Sequence, residues 1–292
     1  MNVLITGGEG QLAADLRAVF SEYRILAVGR ESLDLTQPET IARVFATFEP
    51  NLVLNTAAYN TVDRAESEPQ MALAVNAAGP HLLAAACARQ GAGLVHYSTD
   101  YVFNGDATEP YREDDSVDPI NLYGVSKAAG EMAVRCTLEN HLIIRTTGLF
   151  GLAGIAGAHG NFVETMLRLG TTREVTSVVA DAVLTPTSTS VLARYTRLLI
   201  DSGARGTVHV TNSGQCSWYE FAAAIFRLAG LPGEVRPVAS ADYPTAARRP
   251  RYSVLAHDTI RSLDLSEPEH WHEALTWYLE QRPAALKHGE NG

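Results

Sequence analysis

The chain has 292 residues, 46% of them apolar and 19% charged, enough for one large globular domain or two lobes. Its formal net charge of −10 argues against a nucleic-acid partner, because a phosphate backbone rewards net positive charge. No continuous run reaches the roughly 20 apolar residues of a membrane span, and no basic segment precedes the first strand. Cys87, Cys136 and Cys216 are odd in number and lack metal spacing, so the expected setting is a reducing cytoplasm, with no membrane partner and no metal. His270 and His272 have no companion ligands and read as surface residues at a helix start.

In chain order, Asn2-Val-Leu-Ile-Thr6 opens a buried strand, and Gly7-Gly8-Glu9-Gly10-Gln11-Leu12-Ala13 leads into an amphipathic stretch to about Phe20. A strand, a glycine turn and a helix amino terminus form an anion site. Gly7 allows the turn, Gly10 lets the backbone approach a pyrophosphate, and Ala13 permits close helix-sheet packing. Further strands are expected at Arg24–Val28, Leu52–Asn55, Gly93–Ser98 and His141–Arg145, with helices at Pro69–Gln90 and Tyr123–Arg135. The strand Leu94-Val-His-Tyr-Ser98-Thr99 ends in hydroxyls, and strand carboxyl ends are where open α/β sheets bind ligands. The small-residue run Gly151–Gly160 reads as a mobile loop over the site. Beyond it, Asn161–Leu169, Ser188–Ile200, Ser217–Leu228 and Glu269–Glu280 look helical, with short strands at Thr207–Thr211 and Glu234–Pro237.

This alternation predicts an α/β fold, a doubly wound parallel (Rossmann) sheet with a second, smaller α/β substrate lobe. The expected division is a dinucleotide-binding domain over 1–146, rejoined by part of 172–205, and a mainly substrate-binding lobe over 147–292.

Tyr123 and Lys127 carry the chemistry. Four residues apart on one helical face, they put an ammonium beside a phenol, which favours the phenolate and makes the hydroxyl a usable general acid. Ser98 or Thr99 would bring a hydroxyl to the same crevice. At the end of the second strand, Arg30 suits a 2′-phosphate and suggests NADPH, while Asp34 leaves NADH possible.

Together these residues resemble the extended short-chain dehydrogenase/reductase family, in its dTDP-4-dehydrorhamnose reductase branch. The resemblance rests on Thr6–Ala13, Asn55-Thr-Ala-Ala58, Val62-Asp63-Arg-Ala-Glu66-Ser-Glu68-Pro69 with Asn76, and Ser98-Thr-Asp-Tyr-Val-Phe103. Gly160–Arg168, Pro186-Thr187 and Ala247-Arg-Arg-Pro250 extend it to nearly the whole chain. It implies reduction of the 4-keto group of a nucleotide-linked 6-deoxyhexose, with Thr99, Tyr123 and Lys127 as catalytic residues. It further implies cofactor contacts from Gly7, Gly10, Gln11, Leu12, Arg30, Asp34, Leu35, Ala57, Ala58, Tyr59, Asn76, Tyr123 and Lys127. Substrate contacts would come from Val62, Thr99, Asp100, Tyr101, Tyr123, Gly148, Arg248 and Arg249. In these roles Tyr123 protonates the developing alkoxide, Thr99 bonds the same oxygen, and Lys127 holds the ribose and depresses the Tyr123 pKa.

Three departures bear on the sugar and the product stereochemistry: Gly148 where some members carry tryptophan, expected to leave extra room at the sugar end, Ala182 where glutamine is frequent, and a longer insertion at Leu152–His159. Two other functions fit the same scaffold. An epimerase or dehydratase would regenerate its NAD⁺, but the residues after Thr99 are Asp100 and Tyr101, not an acid/base carboxylate pair. A non-catalytic cofactor-binding subunit would not need Thr99, Tyr123 and Lys127 together. The densest cationic cluster, Arg248-Arg249-Pro250-Arg251, is the expected diphosphate site, and the assembly is expected to be a monomer or homodimer.

Overall fold

The computed structural model describes residues 1–155 and 160–289, with side chains through residue 282. Five strands alternate with helices through the first half: β1 (Asn2–Thr6), β2 (Arg24–Val28), β3 (Leu52–Asn55), β4 (Gly93–Thr99) and β5 (His141–Thr146). Their central residues are apolar on both faces, Val3, Leu54, Val95 and Ile144 on one and Leu4, Val53, Leu94 and Ile143 on the other, as a sheet covered on both sides requires. The helices between them are α1 (Gln11–Val19), α2 (Pro38–Phe48), α3 (Gly79–Gln90) and α4 (Leu122–Thr137).

The second half supplies β6 (Val175–Val179), β7 (Gly206–His209) and β8 (Glu234–Val238). Its longer helices are α5 (Phe162–Thr172), α6 (Thr189–Asp201), α7 (Trp218–Leu228) and α8 (Trp271–Gly289). The main sheet has six strands in the order β7-β5-β4-β3-β1-β2, and every pairing is parallel. The strand order reverses beside β1, so the carboxyl ends of β1 and β3 open a crevice.

The strand at Gly206–His209 pairs with β5, so it belongs to the main sheet and not to the second lobe. Helix α6 likewise packs back onto the sheet. Its Val191, Leu192, Tyr195 and Leu199 share a buried cluster with Val3, Ile5, Leu12 and Leu16. On the opposite face, α2, α3 and α4 cover Leu4, Val53, Leu94 and Ile143. The smaller lobe pairs β6 with β8 in parallel over a core of Phe150, Val163, Phe221, Ile225, Leu275 and Tyr278. Strand β6 is absent from the sequence reading, and α8 runs past the expected Glu280.

The expected helix over Pro69–Gln90 contains a wider π turn at Ala74–Ala78. At 22 residues it is long and apolar enough, by composition, to cross a membrane. Its buried residues Ala72, Leu83, Ala84 and Cys87 account for that apolarity, since they face the sheet and α4. In the expected loop at 151–160, Leu152–Gly154 forms a 3-10 turn, while 156–159, and with them half of the insertion, lie outside the described residues.

Candidate active site

The nucleotide end is built from the first turn. Gly7 has φ +65°, and a Cβ there would come 2.8 Å from Ala57 N; a Cβ at Gly8 would come 2.8 Å from Val28 N. Both contacts are to backbone, so the turn lies flat on β2 and the segment after β3 only because these residues lack side chains. Gly10 caps α1 without a side-chain hydrogen bond, leaving the first N–H groups of the helix to a ligand. Gln11 donates to Leu149 O at 3.4 Å, and its Oε1 is buried without a partner among the described residues. A glycine-lined helix terminus whose first N–H groups have no side-chain cap fits the pyrophosphate of a dinucleotide.

Several residues assigned to the cofactor do not face the crevice with their side chains. Leu12 and Leu35 are core residues, 6% and 3% exposed, because the first turn of α1 and the chain after β2 must cover the sheet. Asn76 is buried on the π turn, accepting from Tyr59 N at 2.8 Å and donating to Tyr59 O and Ser126 Oγ at 2.9 Å each. It shapes the segment Ala57-Ala58-Tyr59 and leaves Ala58 exposed. Asp34 is also spent: it accepts from Thr36 N and Thr36 Oγ1 at 2.9 and 2.7 Å and from Arg30 Nε at 2.9 Å. Despite burial, those hydrogen bonds hold its carboxyl below the usual range. Arg30, just past the end of β2, is thereby held at its Nε while its side chain stays 70% exposed.

Thr99 ends β4, and Tyr123 sits in the first turn of α4. Asn121 caps that helix by accepting from Gly124 N at 2.7 Å, and Glu66 accepts the Leu122 N–H at 2.8 Å. Two glycines bring α4 close: a Cβ at Gly124 would lie 2.1 Å from Tyr101 O, and one at Gly130 2.1 Å from Asn76 O. Tyr101 meets Tyr123 edge to face, with ring centroids 5.9 Å apart.

Lys127 is 2% exposed and its Nζ donates to Tyr97 O at 2.5 Å. Burial lowers its pKa to about 8, opposed by the charge of Glu131. Glu131 is itself held by Arg145, at 2.9 and 2.7 Å, a fully buried pair that ties α4 to β5. Tyr123 differs from expectation. Burial pushes its hydroxyl up to about 12, against the pull of the Thr99 hydroxyl and with the push of Asp100. Lys127 does not depress it, because the ammonium is directed at the Tyr97 carbonyl. A phenol that keeps its proton at neutral pH is still what an acid must be.

Three substrate assignments change. Asp100 is 3% exposed and faces the protein, not the crevice; it accepts from Thr99 Oγ1 and Thr147 Oγ1 at 2.9 Å each. Gly148 leaves no extra room: φ is +56°, and a Cβ would meet Leu184 Cδ1 at 2.8 Å. Arg249 is bound in a two-pronged pair to Asp63, at 3.0 and 2.8 Å, while Arg248 is exposed and has no side-chain partner among the described residues. Val62 opens the short helix Val62–Ala65 that presents Asp63. Asn121 donates to Arg248 O at 2.8 Å, joining the catalytic helix to this loop. Sequence reasoning missed Asn121, although an Asn ahead of an apolar-periodic segment is an N-cap signal.

The family model described as RmlD substrate binding domain matches residues 1–283. A spore coat polysaccharide biosynthesis protein, SpsK, of Bacillus subtilis is 41% identical over 97% of this chain and 98% of its own. A dTDP-4-keto-6-deoxy-D-glucose reductase of Streptomyces niveus is 40% identical over 94% of both chains. A crystal structure of dTDP-4-dehydrorhamnose reductase from Bacillus anthracis in complex with NADP superposes with a TM-score of 0.92, at 39% identity, over 96% of this chain and 99% of that one.

Proposed function

We infer the function from a premise that the match establishes: the chain belongs to the RmlD substrate binding domain family, relatives of which are NADP-dependent sugar-nucleotide reductases. It is an oxidoreductase that reduces the 4-keto group of a nucleotide-linked 6-deoxyhexose with NADPH, and we take dTDP-4-dehydro-L-rhamnose as the substrate and the cytoplasm as its setting. The observation that carries this reading is the placement of Tyr123 in the first turn of α4, one turn from Lys127 and against Tyr101, with Thr99 at the carboxyl end of β4.

When bound, NADPH supplies the hydride that the ketone carbon takes up. The pyrophosphate fits the turn Gly7–Gly10, and Arg30, oriented by Asp34, suits the 2′-phosphate. Lys127, charged below about pH 8, is suited to the ribose hydroxyls. Tyr123 gives its proton to the ketone oxygen as negative charge develops there, and Thr99 stands at the same oxygen. The Tyr101 ring and Val62 line the sugar. Arg248, whose guanidinium has no partner among the described residues, matches a diphosphate oxygen pair. Arg249, held by Asp63, fixes the wall behind Tyr101.

The test is stoichiometry. Incubated with a dTDP-4-keto-6-deoxyhexose, the protein should oxidise one equivalent of NADPH per sugar reduced. Sugar turnover with no net loss of reduced cofactor would make it an epimerase or dehydratase instead.

A further inference from the structure

Asp100 lies directly behind Thr99, 3% exposed. Each carboxylate oxygen accepts a hydroxyl, Thr99 Oγ1 on Oδ1 and Thr147 Oγ1 on Oδ2, both at 2.9 Å. The Ser253 hydroxyl adds to these, and no charged group stabilises the carboxylate among the described residues. It is a buried carboxylate met by hydroxyls from the end of β4, the segment after β5 and the loop that follows Arg251.

Proton counting gives this arrangement a consequence. An ionised carboxylate only accepts, and a threonine hydroxyl has one proton and two lone pairs. While Asp100 is ionised, the Thr99 proton is committed to it. Thr99 Oγ1 also accepts the Tyr101 N–H at 3.2 Å, so its one remaining lone pair faces Tyr123 and the crevice. A ketone oxygen has no proton to give to that lone pair, whereas an alcohol has. Protonated Asp100 reverses the hydrogen bond: its O–H donates to Thr99, and the Thr99 proton is released toward the ketone oxygen.

We propose that Asp100 is a positioning residue that sets the direction of the Thr99 hydroxyl, making it a donor to the substrate ketone when protonated and an acceptor suited to the product alcohol when ionised. The inference rests on the reductase reading above. Burial raises Asp100 to about 6, so the switch falls just below neutrality.

The other charged and titratable groups around it change state elsewhere. Tyr101 and Tyr123 both feel the Asp100 charge and keep their protons at neutral pH. Lys127, on α4, titrates near 8. Arg249, beyond Tyr101, is matched by Asp63, and Arg145, at the end of β5, by Glu131. His96, on β4, and His209, on β7, are driven well below their usual value by burial and stay neutral. Thr146, Thr147 and Ser253 carry no charge.

The experiment is the pH profile of kcat/KM for NADPH-dependent ketone reduction, over about pH 5 to 8. In the unaltered protein kcat/KM should fall as pH rises through about 6, on the order of 10²-fold between plateaus, the effect of losing one donor to the developing oxyanion. Asp100→Asn should remove the break. Thr147→Val, which deletes one hydrogen bond to the carboxylate, should move it to higher pH. A break that persists in Asp100→Asn, or stays in place in Thr147→Val, overturns the proposal; the second variant decides if the first does not fold. Thr99→Val separates the two readings: near-normal kcat/KM there would remove Thr99 itself from the mechanism, whereas a large loss there with an unchanged break in Thr147→Val would sink the Asp100 switch alone.

Discussion

Tyr123 and Lys127 are both displaced from their ordinary pKa values by burial, in directions that keep each neutral form available. For Tyr123 the outcome is a retained proton; for Lys127 it is an ammonium held at a cost. An unfolded lysine titrates near 10.4, and Lys127 in the folded chain near 8. Below pH 8 both states are charged and the burial penalty is fully present. As pH rises from about 8 to about 10.4, the unfolded chain binds more protons than the folded one, and the penalty disappears. Lys127→Met should therefore stabilise the protein by on the order of 2–3 kcal/mol below pH 8, shrinking toward zero near pH 10.4, while turnover is lost. Urea unfolding across that range measures it; a variant less stable than the parent at pH 7 would show that the Tyr97 contact outweighs desolvation.

At the scale of elements, the catalytic helix is seated by glycines. Gly130 touches the carbonyl of Asn76 on the π turn, and Gly124 touches that of Tyr101. A methyl group 2.1 Å from a carbonyl oxygen forces the helix outward. Gly130→Ala should cost about 1–3 kcal/mol and lower both turnover and cofactor affinity, since Tyr123 and Lys127 move with the helix; thermal unfolding, steady-state kinetics and cofactor titration check this. The alternation of strands and helices through β5 was legible because apolar runs, glycine turns and amphipathic stretches are local signals. Strand β7 was recognised as a strand but given to the wrong sheet, because pairing with β5 is a long-range choice. The π turn was not legible, since nothing in Ala74-Val-Asn-Ala-Ala78 departs from an ordinary helix until Gly130 and Tyr59 press on it. Gly148 misled for a related reason: a missing side chain reads as space, and only the structure shows that Leu184 fills it.

Over the whole molecule, the 247–250 loop is joined to the catalytic helix by Asn121 on the Arg248 carbonyl and to the short helix Val62–Ala65 by Asp63 on Ala247 N and Arg249. The sequence marked the arginine cluster but not its division of labour, because Asp63 lies far away in the chain. The Asp63–Arg249 pair is partly exposed, 44% and 34%, so its value is in geometry more than in stability. Arg248→Ala should raise KM for the sugar nucleotide about tenfold or more and leave NADPH binding unchanged. Calorimetric titration of each ligand separates the two, and unaltered sugar-nucleotide affinity would place the diphosphate elsewhere.

The most direct test of a carbonyl-reducing site around Tyr123 is label transfer in a single turnover, with NADPH deuterated on the transferring face of the nicotinamide and a dTDP-4-keto-6-deoxyhexose. The unaltered protein should place deuterium on C4 of the sugar, and Tyr123→Phe should do so about 10²–10⁴-fold more slowly with its NADPH affinity intact. Deuterium at C4 at an undiminished rate in Tyr123→Phe, or none at C4 in the unaltered protein, would contradict the assignment.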